Sequence, residues 1–370
     1  MSISELPFYH GSSISRLNGG FPNSHPFEIK FDKSLSMFRL IHTEKLEELL
    51  NKVYLSGSLV DGSISNESGD VYVSQLVNYL VNYSQINKNN SILEIGFGTG
   101  IILKELKNNG FVHLKGIEPG NHELLEGMDG IEIINGFFPH KKIKDKQDLI
   151  YHFAVWEHIF NPVEFIANQL NFLSTNGRIV FGVPNCEPYI NEGDISVFLH
   201  EHFNYFTIQS ILSVVNKAGG KLIDIRVIEG MLVGTIVNKD IKLDQFSEFD
   251  FKLFDENVFW EKVQLFLLKL NIFFIQYENK NDIAIYVPGR SINSLFLLGI
   301  NNVRLVDDNS EMHGRFLPTL INQIESFEDL CINPPKTILI YSKTFGEKIK
   351  LKCINEKRLS QVKVVTLNDL

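Results

Sequence analysis

One short segment limits what this 370-residue chain can fold into more than any other: Leu93-Glu94-Ile95-Gly96-Phe97-Gly98-Thr99-Gly100, an apolar run that gives way to three glycines at alternate positions. Ser91 to Ile95 has the β-rich character of a buried strand, and Ile101 to Asn108 has helical periodicity. A glycine-rich turn from strand to helix brings main-chain N–H groups close to a ligand, because no Cβ stands in the way. The dinucleotide fingerprint G-x-G-x-x-G would put its third glycine at position 101, where this chain has Ile101. Its spacing is instead G-x-G-x-G, with Glu94 two residues before the first glycine.

A carboxylate at that place opposes a pyrophosphate but suits a ligand that carries an ammonium and a sulfonium group. S-adenosylmethionine is such a ligand. The E-x-G-x-G-x-G run makes Glu94, Gly96, Phe97, Gly98 and Gly100 candidates for its binding. The next strand candidate, Val112 to Ile117, ends at Glu118, whose carboxylate at a strand tip can accept hydrogen bonds from ribose hydroxyls. After the third candidate, Gly130 to Ile134, come Asn135 and Phe137, an amide and an aromatic edge suited to adenine.

Strand candidates at Asp148 to Val155 and Arg178 to Val183, with helices at Ile101 to Asn108 and Pro162 to Leu173, continue the alternation that predicts βαβ units and a parallel sheet. Thr175-Asn176-Gly177 reads as the stop of the second helix. A further helix begins with Thr207 as its N-cap. Lys221 to Ile228 and Met231 to Val237, joined by Glu229-Gly230 alone, predict a terminal hairpin and so an antiparallel end to the sheet. A helical, aromatic-rich stretch over 241–281 leads into a second α/β alternation, with strands at Ile283 to Val287, Val303 to Val306, Thr337 to Tyr341 and Val362 to Val365. The expected organisation is an α/β chain in three parts: a small amino-terminal cap or lid over 1–70, with a helix near Glu44 to Val53; a Rossmann-like ligand-binding domain over 71–240; and a second Rossmann-like α/β domain over 241–370.

Composition removes several function classes. With 35 Lys+Arg against 44 Asp+Glu and no basic stripe, the chain has no electrostatic footprint for nucleic acid. The most apolar stretch, Val263 to Ile275, is interrupted by Lys269 and Asn271 and is shorter than a membrane span requires, and the opening residues lack the basic and apolar regions of an export signal. Cys186, Cys331 and Cys353 form no C-x-x-C pair and no disulfide framework, which suits a reducing cytoplasm. The helix Phe259 to Tyr277 has apolar residues on most faces, consistent with packing between the α/β units or at a homodimer interface, so both monomer and homodimer stay open.

Ligands of open α/β sheets bind beyond the carboxyl ends of the strands. After the fourth strand the sequence reads Val155-Trp156-Glu157-His158-Ile159-Phe160-Asn161-Pro162, and after the fifth Leu199-His200-Glu201-His202-Phe203-Asn204-Tyr205-Phe206-Thr207. The second run puts two imidazoles, a carboxylate and a phenol close together. Histidine titrates nearest neutrality, so His202 is a natural proton acceptor, Glu201 a group to orient it, and His158 and Tyr205 further acceptor-side candidates. No metal is expected, because H-E-H lacks the spacing of H-E-x-x-H and no third ligand stands out.

From Glu94 through Glu118 the order of strand, glycine turn, helix, strand and acid resembles motif I of class I S-adenosylmethionine-dependent methyltransferases, and the segment Glu157-His158-Ile159-Phe160-Asn161-Pro162 is similar to one common among them. The H-E-H-x-x-Y-F run, the hairpin turn at Gly230, and Tyr286-Val287-Pro288-Gly289-Arg290 with the later Asp307-Asp308-Asn309 resemble the nucleotide-sugar C-methyltransferase family over most of residues 54 to 350. That resemblance implies methyl transfer to a nucleotide-linked sugar, with Glu201 and His202 matching the family's Glu-His pair and His158 a further active-site histidine. The family's amino-terminal zinc domain is held by cysteines, and this chain has none before Cys186; where the family commonly has Tyr before H-E-H, this chain has Leu199. O- or N-methylation of another saccharide or small metabolite, and a catalytically inactive binding protein of the same fold, are the rival readings.

Overall fold

The computed structural model describes residues 3–55, 67–82, 86–120, 128–241, 255–343 and 345–370, without the side chains of 54–55 and 67–70. The helix expected near Glu44 spans Glu44–Leu55. The side chains of residues 54–55 at its end lie outside the described ones.

The chain forms two compact units, neither of them continuous in sequence: residues 30–187 with 201–254, and residues 1–29, 188–200 and 255–370. Boundaries expected at 70 and 240 therefore miss a division that cuts the H-E-H run between His200 and Glu201. Hydrophobic periodicity marks elements but not the point where a chain passes from one core to another.

The first unit is built on seven strands: β1 (Ser91–Ile95), β2 (His113–Glu118), β3 (Glu132–Asn135), β4 (Gln147–Phe153), β5 (Leu173–Pro184), β6 (Gly220–Ile228) and β7 (Met231–Asn238). Their spatial order is β6-β7-β5-β4-β1-β2-β3, with β7 antiparallel to both β5 and β6. The neighbouring pairs among β1 to β5 are parallel. Alternation of side chains across a strand decides which residue meets which layer. Leu93, Ile150, Ile179 and Phe181 face the helices Pro162–Phe172 and Ile208–Ala218. Ile92, Leu149, Tyr151 and Val180 face the helices Glu67–Asn82 and Ile101–Asn108. Since both faces are covered, the central strands read as unbroken apolar runs.

Local signals carried well where they were local. Thr207 caps its helix through a reciprocal capping box with Ser210, and Glu229 and Gly230, both with positive φ, turn the β6–β7 hairpin. Thr175-Asn176-Gly177 is a correction. The helix ends at Phe172, and these residues lie within β5, where the ladder to β4 shifts register. Gly177 is there because a Cβ would stand 2.8 Å from the Gln147 carbonyl oxygen, not because a helix needs a stop.

The second unit holds a five-stranded parallel sheet in the order Ile324–Glu325, Arg304–Val306, Ile283–Tyr286, Thr337–Ile340, Lys363–Thr366. The helix Glu256–Ile275 buries Leu270, Phe273 and Phe274 in this sheet's core while leaving Leu265, Leu268, Ile272 and Ile275 exposed. Amino-terminal strands Glu5–Pro7 and Ser24–Pro26 pair with each other, and Met37–Leu40 pairs with Asn204–Tyr205. No helix among the described residues is long and apolar enough to cross a membrane.

Candidate functional site

The glycine turn and the tip of β2 are locked together by Glu118. One carboxylate oxygen accepts from the main-chain N–H of Gly98 at 3.1 Å and the other from that of Gly120 at 3.0 Å. Its own carbonyl accepts from Gly136 N at 3.0 Å, after β3, and Asn135 Nδ2 donates to the Gly120 carbonyl at 3.3 Å. Three adjacent strand tips thus converge on one acid.

Backbone shape explains the glycines. Gly96, Gly98 and Gly100 all have positive φ, and a Cβ on Gly96 would come 2.4 Å from Val155 Cγ2. The Phe97 side chain is buried beneath the turn against Gly116, where a Cβ would come 2.6 Å from the ring, so this residue can meet a ligand only through its main chain. Phe137, by contrast, is 71 % exposed beside the exposed Asn135.

Glu94 is only 4 % exposed and accepts a hydrogen bond from Tyr151 Oη at 2.8 Å, from the register neighbour on β4. Burial, reinforced by the nearby Glu118 charge and opposed by the Tyr151 bond, pushes its carboxyl up to about 8. Its side chain is thus part of the floor of the turn.

On the acceptor side, the run after β5 is bound to the turn Trp156–His158 that follows β4. Asn204 Nδ2 donates to the carbonyls of Trp156 at 3.3 Å and Ile159 at 2.6 Å, Phe203 N donates to the Glu157 carbonyl at 2.8 Å, and Arg39 Nε donates to Asn204 Oδ1 at 3.1 Å. This clamp brings His158 and His202 edge to face, with ring centroids 4.9 Å apart. His158 Nδ1 lies 2.8 Å from the Glu201 carbonyl oxygen. A carbonyl only accepts, so Nδ1 carries the proton and Nε2 the lone pair. Burial holds this imidazole down to about 4, keeping it neutral.

Of the expected acceptor-side residues, His158, His202 and Glu201 are brought together. Tyr205 is fully buried in the strand paired with Met37–Leu40, its ring centroid 6.4 Å from that of His202. Among the described residues the Glu201 carboxylate makes no hydrogen bond to His202; its link to the pair is the carbonyl, while burial raises the carboxyl to about 7. His200 lies in the other unit, packed against the rings of Phe8 and Phe27 with Nε2 on the His25 carbonyl. The residue that the sequence reading passed over is Glu157. It is 1 % exposed, burial pushes its carboxyl up to about 8, and Oε2 has no hydrogen-bond partner. The only cue was its adjacency to His158.

Residues 66–225 match a family model described as a methyltransferase domain. No curated protein matches the chain. Solved structures resemble it over about half its length: a DhpI–SAM–HEP complex (14 % identity, 53 % of this chain and 99 % of that one, TM-score 0.42), magnesium protoporphyrin IX methyltransferase from Synechocystis PCC 6803 with bound SAH (12 %, 52 % and 100 %, 0.40), and a possible histamine N-methyltransferase from Thermotoga maritima (16 %, 49 % and 98 %, 0.37). At such identities and TM-scores the acceptor has to be read from this chain's own residues. By its family match, its strand order and its glycine turn, the segment 66–225 is the core of a class I methyltransferase domain of Rossmann-like fold, whose cofactor is S-adenosylmethionine.

Proposed function

We propose that this protein transfers a methyl group to a saccharide acceptor, nucleotide-linked as the sequence resemblance implies, with the cofactor on the glycine turn and the acceptor over the His158–His202 pair. The cofactor, when bound, supplies an electrophilic methyl group on sulfonium. The turn, with no Cβ at Gly96, Gly98 and Gly100, lets the cofactor's polar end approach the main chain closely, Glu118 accepts from the ribose hydroxyls, and Asn135 and Phe137 flank adenine. The acid at Glu94 supports the turn from beneath.

His202 accepts the acceptor proton as the new bond to carbon forms. His158, neutral and fixed by the Glu201 carbonyl, positions the His202 ring across their edge-to-face contact. Tyr205 supports the same ring from its strand, and the catalytic part otherwise consists of holding two reactants in line and excluding water. The observation that carries this reading is the pair itself: two imidazoles in contact, on segments that follow β4, the neighbour of β1 and its cofactor turn, and β5, the next strand out.

The two rival outcomes differ in what the site must stabilise. Removing a C–H proton next to a carbonyl develops an oxyanion that needs a dedicated donor, whereas a hydroxyl passes its proton directly to an imidazole. Leu199, where the resembling family commonly has a phenol, favours transfer to oxygen. The test combines calorimetry with S-adenosylhomocysteine and NMR of the product made from candidate nucleotide sugars. An O–CH₃ or C–CH₃ sugar supports the reading, and tight cofactor binding with no transfer to any saccharide overturns the acceptor class.

A further inference from the structure

Beside the two imidazoles lies a carboxylate for which methyl transfer has no use. Glu157, His158 and His202 each direct one ligand atom into a common space, with all three atoms within 4.8 Å of one another. Two features mark this as more than proximity. The Glu157 oxygen Oε2 is buried without any hydrogen-bond partner, and leaving a buried carboxylate oxygen unsatisfied is costly. His158 donates its other ring N–H to a main-chain carbonyl, the arrangement that fixes tautomer and ring orientation in metal-ligating histidines.

We propose that Glu157, His158 and His202 form a binding site for one divalent transition-metal cation of the zinc class, and that the cation competes with proton acceptance at His202. Two imidazoles and one carboxylate are the donor set of an open three-ligand site, in which water takes the remaining position. Around a tetrahedral ion with bonds of about 2.1 Å, ligand atoms stand about 3.4 Å apart, so the three groups must draw in by roughly an ångström. A ring nitrogen that holds the ion cannot also take a proton. This consequence rests on the base assigned to His202, whereas the site itself does not.

Cobalt(II) and zinc(II) titrated into the chelator-treated full chain test the proposal, by visible absorption for cobalt and calorimetry for zinc. The expected result is saturable binding of one ion per chain, weakened at least tenfold (about 1.4 kcal/mol) by Glu157→Gln, by His158→Ala and by His202→Ala, with His200→Ala as the unaffected control. S-adenosylhomocysteine binding by each variant shows that the fold survives. Absence of saturable binding, or binding indifferent to all three substitutions, overturns the site and leaves the methyl-transfer reading standing, because the S-adenosylhomocysteine titration reports on that separately. Saturating zinc should also lower turnover at least tenfold, with EDTA restoring it; full turnover with the ion bound overturns the competition.

Discussion

The Tyr151 hydroxyl donates to Glu94 Oε2 at 2.8 Å across the β1–β4 ladder, and neither side chain reaches solvent. A carboxyl raised to about 8 from an ordinary 4.5 binds its proton more tightly folded than unfolded. Its contribution to stability is therefore complete below about pH 4.5 and is lost as the pH rises through about 8. Urea denaturation of the wild type should show this slope, and Glu94→Gln, a neutral mimic of the protonated acid, should flatten it. An unchanged slope in the variant would show that another group is responsible.

Removal of the Glu118 side chain deletes two hydrogen bonds, one from Gly98 N in the glycine turn and one from Gly120 N after β2, together with the proposed ribose acceptor. Hydrogen bonds to charged groups contribute about 1.5–3 kcal/mol each, so Glu118→Ala should weaken S-adenosylhomocysteine binding by at least tenfold. Glu118→Gln should fall between the two, since it keeps one acceptor oxygen. Calorimetric affinities equal to wild type for both variants would remove Glu118 from the cofactor site.

Two glycines in the left-handed region separate backbone strain from collision. Gly219, with φ of 84°, ends a helix with nothing within 4 Å of a built Cβ, whereas Gly96, with φ of 74°, has Val155 at 2.4 Å. Gly219→Ala should cost about 1 kcal/mol through conformation alone. Gly96→Ala should cost about 3 kcal/mol or more, because strain and overpacking act together. The second change should also abolish cofactor binding under conditions where Gly219→Ala leaves it intact. Equal melting temperatures for the two variants would refute the distinction.

Asn204 ties the run after β5 to the turn after β4 through the Trp156 and Ile159 carbonyls. Asn204→Ala leaves two carbonyls and the Arg39 guanidinium short of a partner, at about 1–3 kcal/mol for a buried group so orphaned. It should lower kcat by separating His158 from His202 while S-adenosylhomocysteine affinity stays within twofold. Direct loss of the base, in His202→Ala, should reduce turnover by about 10²–10⁴-fold with the same affinity pattern. Full activity of His202→Ala would exclude it as the proton acceptor.

These residues also show how far the sequence was legible. The glycine turn, the Thr207 cap and the Glu229-Gly230 hairpin were readable because each is specified by neighbours a few positions away. Glu157 and His202 are not neighbours in that sense: a tertiary clamp through Asn204 and Phe203 brings them together, and no periodicity signals it. The H-E-H run misled for the opposite reason. Its histidines are two positions apart, yet His200 completes the core of one unit and His202 belongs to the other. Ile324–Glu325 went unseen because a two-residue strand carries too little alternation to register.

His152 supplies an acid limit that is independent of the site. It stands near the carboxyl end of β4, fully buried between the rings of Trp156 and Phe165, and neither ring nitrogen has a hydrogen-bond partner. Burial alone holds it down to about 3 from an ordinary 6.5. The folded state therefore keeps a neutral ring while the unfolded chain takes up a proton as the pH falls below about 6.5. Stability is complete above that value and is lost progressively toward about 3. Each unit of displacement is worth about 1.4 kcal/mol, so a loss of several kcal/mol is expected across this range. His152→Phe, with aromatic neighbours on two sides and no proton to accept, should shift the acid unfolding midpoint to lower pH even if its stability at neutral pH is reduced by overpacking. Acid denaturation followed by tryptophan fluorescence reads this directly through Trp156, and a midpoint unmoved by the substitution would show that His152 is not the group that brings the fold down.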